Sequence, residues 1–151
     1  MLFQTTEHYH GLISRLTLGS VILAHGCQML LGWFGGYGFA GTMNYLTQTE
    51  GLPWIVAFSV IMLQFFGAIA LLLGFLGRFF ALGMTGLFIG MILTSHLSHG
   101  LFMNWSGTQD GEGFEYHIIA IGLSLNLLFS GSGIYSVDRM LTTDPLDSDD
   151  Q

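Results

Sequence analysis

The charged side chains fall at wide intervals and leave four long stretches without any Asp, Glu, Lys or Arg: residues 16–49, 51–77, 79–109 and 116–137. Each can hold a run of about 20 mostly apolar residues, the length of α-helix that crosses ~30 Å of hydrocarbon. The expected spans cover about residues 12–31, 54–74, 79–98 and 114–134. Pro53 stands just before the second, where its missing N–H costs little. Arg15 lies close enough to the start of the first to snorkel toward the headgroups. In hydrocarbon every backbone polar group must be paired within its own helix. The pattern therefore predicts an all-α integral membrane protein built as a four-helix bundle. Small residues at Gly67, Gly74, Gly83, Gly86, Gly90, Gly122 and Ser130 would let those helices approach closely.

Composition sharpens this reading. Only 9% of the 151 residues are charged, against roughly 25% in an ordinary soluble domain. Hydrophobic residues make up 51% and another 22 are Gly, and the 3 basic and 10 acidic side chains are too few to cover a soluble surface. The three basic residues, Arg15, Arg78 and Arg139, fall before span one, between spans two and three, and after span four. All three then lie on one side, which the positive-inside rule makes cytoplasmic, and both termini are expected there. A formal charge of -7 with no Lys excludes neutralisation of a phosphate backbone, so nucleic acid is not an expected partner. The expected partners are the lipid bilayer and a membrane or periplasmic protein.

Cys27 is the only cysteine, which rules out an internal disulfide and a CxxC redox pair; a small apolar filler is its expected role. Phosphate-binding loops and serine nucleophile elbows are missing. The N-terminus lacks a basic flank and an A-x-A site, so it is expected to be retained. Residues 1–141 read as one transmembrane domain, and residues 142–151, with four Asp, as a disordered acidic cytoplasmic tail.

On this topology the polar side chains gather at the non-cytoplasmic end. His25 and Gln28 lie three apart near the outer end of span one, and His96 and His99 repeat the spacing in span three. Glu115 and His117 open span four, while Asn104, Trp105, Asp110 and Glu112 lie in the preceding loop. Trp33 belongs to a turn-rich aromatic segment after span one. Ionisable groups inside a span are costly and usually functional. His25, about 9 Å below its helix end at ~1.5 Å per residue, is expected to be neutral unless a carboxylate such as Glu115 reaches it. His25, Glu115 and His117 are the candidate proton-handling residues, and Gln28, Trp33, His96, His99, Asn104, Trp105 and Glu112 the candidate ligand contacts. A metal on His96 and His99, completed by Glu115 or His117, stays open as a second reading. Gln64, mid-span in the second helix, reads as a bridge between helices.

The segments His25-Gly26-Cys27-Gln28 and Gly32-Trp33-Phe34-Gly35-Gly36-Tyr37-Gly38 resemble the signature of the DoxX family of small four-span membrane proteins. A second block, His99-Gly100-Leu101-Phe102-Met103-Asn104-Trp105 with Gly111-Glu112-Gly113-Phe114-Glu115-Tyr116-His117, is similar to the family too. So is the ending Gly131-Ser132-Gly133-Ile134-Tyr135-Ser136-Val137-Asp138-Arg139. The resemblance implies a protein of the bacterial inner membrane, linked to thiosulfate:quinone oxidoreductase and other membrane oxidoreductase complexes, with a quinone as substrate. It equally allows a non-catalytic accessory or assembly subunit. Two positions depart from the family pattern: Met29 stands where a Lys often follows the Gln, and Gln64 where a Glu often precedes the Gly pair of span two. Gln64 cannot titrate, so a proton path through that carboxylate would be missing here.

Overall fold

The computed structural model describes residues 3–5 and 8–142, so the expected acidic tail, apart from Thr142, lies outside the described residues. Among the described residues all regular structure is helical and there is no strand. Helix α1 (Tyr9–Leu31) ends at Gly32, whose φ of 74° supplies the left-handed stop that a side chain would oppose. The chain then bends by 93° into Trp33–Thr49, where α2 (Gly38–Asn44) runs on into a π turn, Tyr45–Thr49. Helix α3 (Trp54–Leu73) starts directly after Pro53, and α4 (Gly77–His99) follows a tight turn through Gly74. After a long loop come α5 (Glu115–Ser130) and the short α6 (Val137–Thr142).

Two of these helices, α3 and α4, are long and apolar enough to cross a membrane alone. A third crossing is available if α1 and the bent segment after it count as one broken span. Helix α5 is apolar but only 16 residues long, shorter than the expected 114–134, because Gly131 (φ 78°) stops it after Ser130. Much of the segment between the first two expected spans is helical too, and it turns across the end of α1.

Helix α1 packs on α3 and α5, and α4 packs on the same two helices. Their shared core is Leu18, Ile22, Ala68, Leu71, Ala81, Met84, Phe88, Ala120 and Leu127. A smaller cluster of Met43, Ala57 and Ile61 fixes α2 to α3. Gly26 sets the closest approach of α1 to α3, since a Cβ there would lie 2.5 Å from the Gln64 carbonyl oxygen. Only a glycine permits that contact.

One end of the assembly is closed by buried charge. Arg15 does not snorkel as expected: it is 3% exposed, and its guanidinium donates to the carbonyls of Ser132 (3.1 Å), Ile134 (3.3 Å), Tyr135 (2.6 Å) and Leu72. Those carbonyls belong to backbone left unpaired where α3 and α5 end, and a fork of five N–H donors can satisfy several at once. Asp138, 1% exposed, accepts from the backbone N–H groups of Leu76 (2.7 Å) and Gly77 (2.9 Å) and from Ser132 Oγ (2.6 Å). Arg78 bonds the Leu128 carbonyl (2.7 Å) and the Gln4 carbonyl (2.9 Å) at the same end. Charge that would be ruinous unpaired is held in a full set of hydrogen bonds.

Candidate functional site

The opposite end is hollow. An inner chamber of about 300 Å³ is lined by Ile22, His25 and Met29 from α1, Gln64 from α3, Phe88, Met91 and His96 from α4, and Tyr116 and His117 from α5. Met103 and Glu112 of the loop before α5 complete the wall. Gln64 and His96 both sit on π turns, Leu63–Gly67 in α3 and Ile92–His96 in α4. A π turn adds a residue to the local helical ring and redirects the side chains around it, which is why such turns recur at functional sites.

The chamber's polar atoms are incompletely paired. Gln64 and His117 are 3% and 4% exposed, and Gln64 Nε2 and His117 Nδ1 have no hydrogen-bond partner. An amide or imidazole nitrogen left this way costs about 1–3 kcal/mol. The His96 ring lies 4.2 Å from that of His117, centroid to centroid. His96 Nδ1 is 2.8 Å from the Glu112 carbonyl oxygen. A carbonyl only accepts, so Nδ1 carries the proton, and in the neutral ring Nε2 is left as an acceptor. Phe88 and Tyr116 set their rings edge-on to His117. His25 is exposed on the chamber's α1 side.

The other candidate residues are placed differently. Glu115 Oε1 accepts from Trp105 Nε1 (2.9 Å) and from the Met103 N–H (3.2 Å), so it anchors the loop, and it does not line the chamber. Glu112 Oε2 accepts from the Asn104 N–H at 2.7 Å, and the Asn104 side chain pairs with Gln109 at 3.0 Å in both directions. Gln28 Nε2 reaches the Phe34 carbonyl at 3.4 Å across the bend after α1. Trp33 and Trp105 are 58% and 86% exposed. Among the described residues no three His, Cys, Asp or Glu side chains meet as a set that could hold a metal ion; His99 lies on a second cavity instead, with its ring against Gly111.

That second, outer cavity measures about 650 Å³ and is lined in part by Tyr45, Glu50, Thr94, Ser95, Ser98 and His99. Glu50 accepts from Tyr45 OH (2.6 Å) and Ser95 Oγ (2.7 Å), tying the π turn of α2 to that of α4. The two donated hydrogen bonds, Tyr45's first, hold the Glu50 carboxyl below its ordinary value, so it is anionic at neutral pH. The same bond pushes the Tyr45 phenol up. Glu50 was not among the candidates, although it is the only charged residue between Arg15 and Arg78. Gln64 had been read as a helix bridge; its amide nitrogen is free of one.

The molecule is thus a helical membrane protein, closed at one end by an arginine and an aspartate and hollow at the other. Residues 10–97 match the DoxX family model, and the chain belongs to the DoxX family. Over 110 residues it is 36% identical to the inner membrane protein YqjF of Escherichia coli (strain K12), an alignment that covers 73% of this chain and 79% of that protein. No solved structure matches the chain. The protein is a multi-pass protein of the bacterial inner membrane.

Proposed function

We propose that the chain is the membrane subunit of a quinone-linked oxidoreductase and that the inner chamber holds the quinone headgroup. In this reading the four long helices form a bundle that crosses the membrane four times. Both termini face the cytoplasm and the hollow end faces the periplasm, an orientation supported by the distribution of the three arginines.

The observation that carries the proposal is the pair of unpaired buried nitrogens, Gln64 Nε2 and His117 Nδ1, on side chains that line a largely apolar chamber of about 300 Å³. A quinone is a flat apolar ring with two carbonyl acceptors. Gln64 Nε2 can only donate, and His117 Nδ1 donates when it carries the ring proton. The volume lies at the lower limit for small-ligand sites, which suits a headgroup whose isoprenoid tail stays in lipid. Reduction of the ring to a quinol takes up two electrons and two protons. His25, exposed at the chamber wall, is placed to pass protons from the outer phase. Glu115 serves this reading as the anchor of the loop that covers the chamber. Electrons would come from a protein partner or a soluble reductant. The test is titration of the purified protein in nanodiscs with decylubiquinone. Saturable binding weakened at least tenfold by His117→Leu is expected, and no binding to the unmodified protein would remove the reading.

A second reading, an accessory or assembly subunit, is favoured by the exposed rings of Trp33, Phe34, Tyr37, Phe102 and Trp105 in the segments flanking the hollow end. Such a surface suits a docked membrane or periplasmic protein as well as the headgroup layer. Replacing His25 and His117 together by inert residues of similar size, with Glu115 kept as the loop anchor, separates the two. An intact complex without turnover favours chemistry, and a dissociated complex favours assembly.

A further inference from the structure

The outer cavity and the inner chamber share Met29, Gln64, Met91, His96 and Glu112, so these five side chains are the partition between them. Gln64, buried and unpaired at Nε2, stands on both walls.

The outer cavity is electrostatically one-sided. Its acidic groups are Glu50, which accepts from Tyr45 and Ser95, and Glu112; its other titratable groups are Tyr45, His96 and His99. No arginine lines it. Arg15 and Arg78 spend their donors on backbone carbonyls at the closed end, and Arg139 lies in α6 beyond it. The α2–α3 connection supplies Glu50, the loop before α5 supplies Glu112, and α4 supplies Ser95, His96 and His99, so carboxylates face imidazoles and hydroxyls with no guanidinium among them.

We propose that the outer cavity is the entrance by which water-borne molecules reach the chamber, and that Glu50 makes it selective for neutral and cationic molecules over oxyanions. This role rests on the chamber being a ligand site. A reductant arriving this way is uncharged or positively charged and carries O–H or N–H groups for the carboxylates and hydroxyls to hold. A dianion of the thiosulfate type is repelled at the mouth and would need a different donor route.

The test uses the full chain in nanodiscs with Cys27→Ala as background and Ser98→Cys as a reporter on the cavity wall. Methanethiosulfonate reagents with ethylammonium, methyl and ethylsulfonate groups give rates for a cation, a neutral molecule and an anion. One carboxylate a few ångströms away shifts such rates by on the order of tenfold. Relative to their rates with a free small thiol, the cation is expected to gain about tenfold on the anion. Glu50→Gln should cut that ratio at least threefold, and Glu50→Asp should keep it. Equal rates of the neutral reagent in all three proteins show that the fold is intact. A ratio near one, a ratio indifferent to Glu50→Gln, or an unreactive Ser98→Cys overturns the proposal. No quinone enters these measurements, so failed decylubiquinone binding and failed charge selection are separate results.

Discussion

At the residue scale, the most informative side chain is Gln64. A buried amide with an unpaired nitrogen costs stability unless something binds it. Gln64→Met, of similar shape, should therefore raise the melting temperature of the ligand-free protein, by an amount equivalent to about 1–3 kcal/mol. It should also weaken decylubiquinone binding at least tenfold. Thermal unfolding monitored with and without decylubiquinone reads both effects. Glu50 gives a pH prediction of definite sign. Its folded-state carboxyl lies below the ordinary 4.5, so its ties to Tyr45 and Ser95 contribute stability above that value and lose it as pH falls through the lower one. The melting-temperature difference between the unmodified protein and Glu50→Gln should shrink as the pH falls below the ordinary 4.5. A gap that widens in acid would contradict it. The histidines were legible from sequence because so few polar groups interrupt the apolar windows. The engagement of Glu115 was not legible, since it depends on how the loop folds Trp105 and Met103 back over α5.

At the element scale, α3 and α4 could be read directly from length and the absence of charge. Their π turns could not. Nothing in Leu63–Gly67 or Ile92–His96 marks an extra residue in the turn, yet one inserted residue rotates all that follows by about 100°. A helical wheel drawn on the sequence thus falls out of phase with the folded helices past these turns. The bend at Gly32 was likewise hidden in a segment whose glycines and aromatics read as a loop. Gly26 is the element-scale test, because its missing side chain lets α1 meet the π turn of α3. Gly26→Val should force the two helices apart and destabilise the protein by about 1–3 kcal/mol. It should also enlarge the chamber and blunt its affinity. Reversible unfolding of the variant measures the first effect, and decylubiquinone titration the second.

At the scale of the whole molecule, the two ends do opposite jobs. Arg15 and Asp138 lock the segment after α5 onto the base of α1 and onto the α3–α4 turn. Removing one such buried charge leaves its partners unsatisfied and costs about 3–5 kcal/mol. Arg15→Met and Asp138→Leu should each sharply reduce the yield of folded protein in membranes, as judged by size-exclusion chromatography. Charge counting had placed Arg15 correctly at a helix start but gave it to the lipid headgroups, because its carbonyl partners lie more than fifty residues away in sequence. In the proposed reading, the closed end leaves the other free to stay hollow, with polar atoms unpaired for a ligand. Photolabelling with an azidoquinone, mapped by peptide mass spectrometry, examines that division most directly. The label should fall on the α1, α4 and α5 peptides carrying Met29, Met91 and Tyr116, and excess decylubiquinone should suppress it. Labelling confined to outward-facing residues such as Phe66, Phe79 and Phe129, and indifferent to competitor, would contradict a quinone in the chamber.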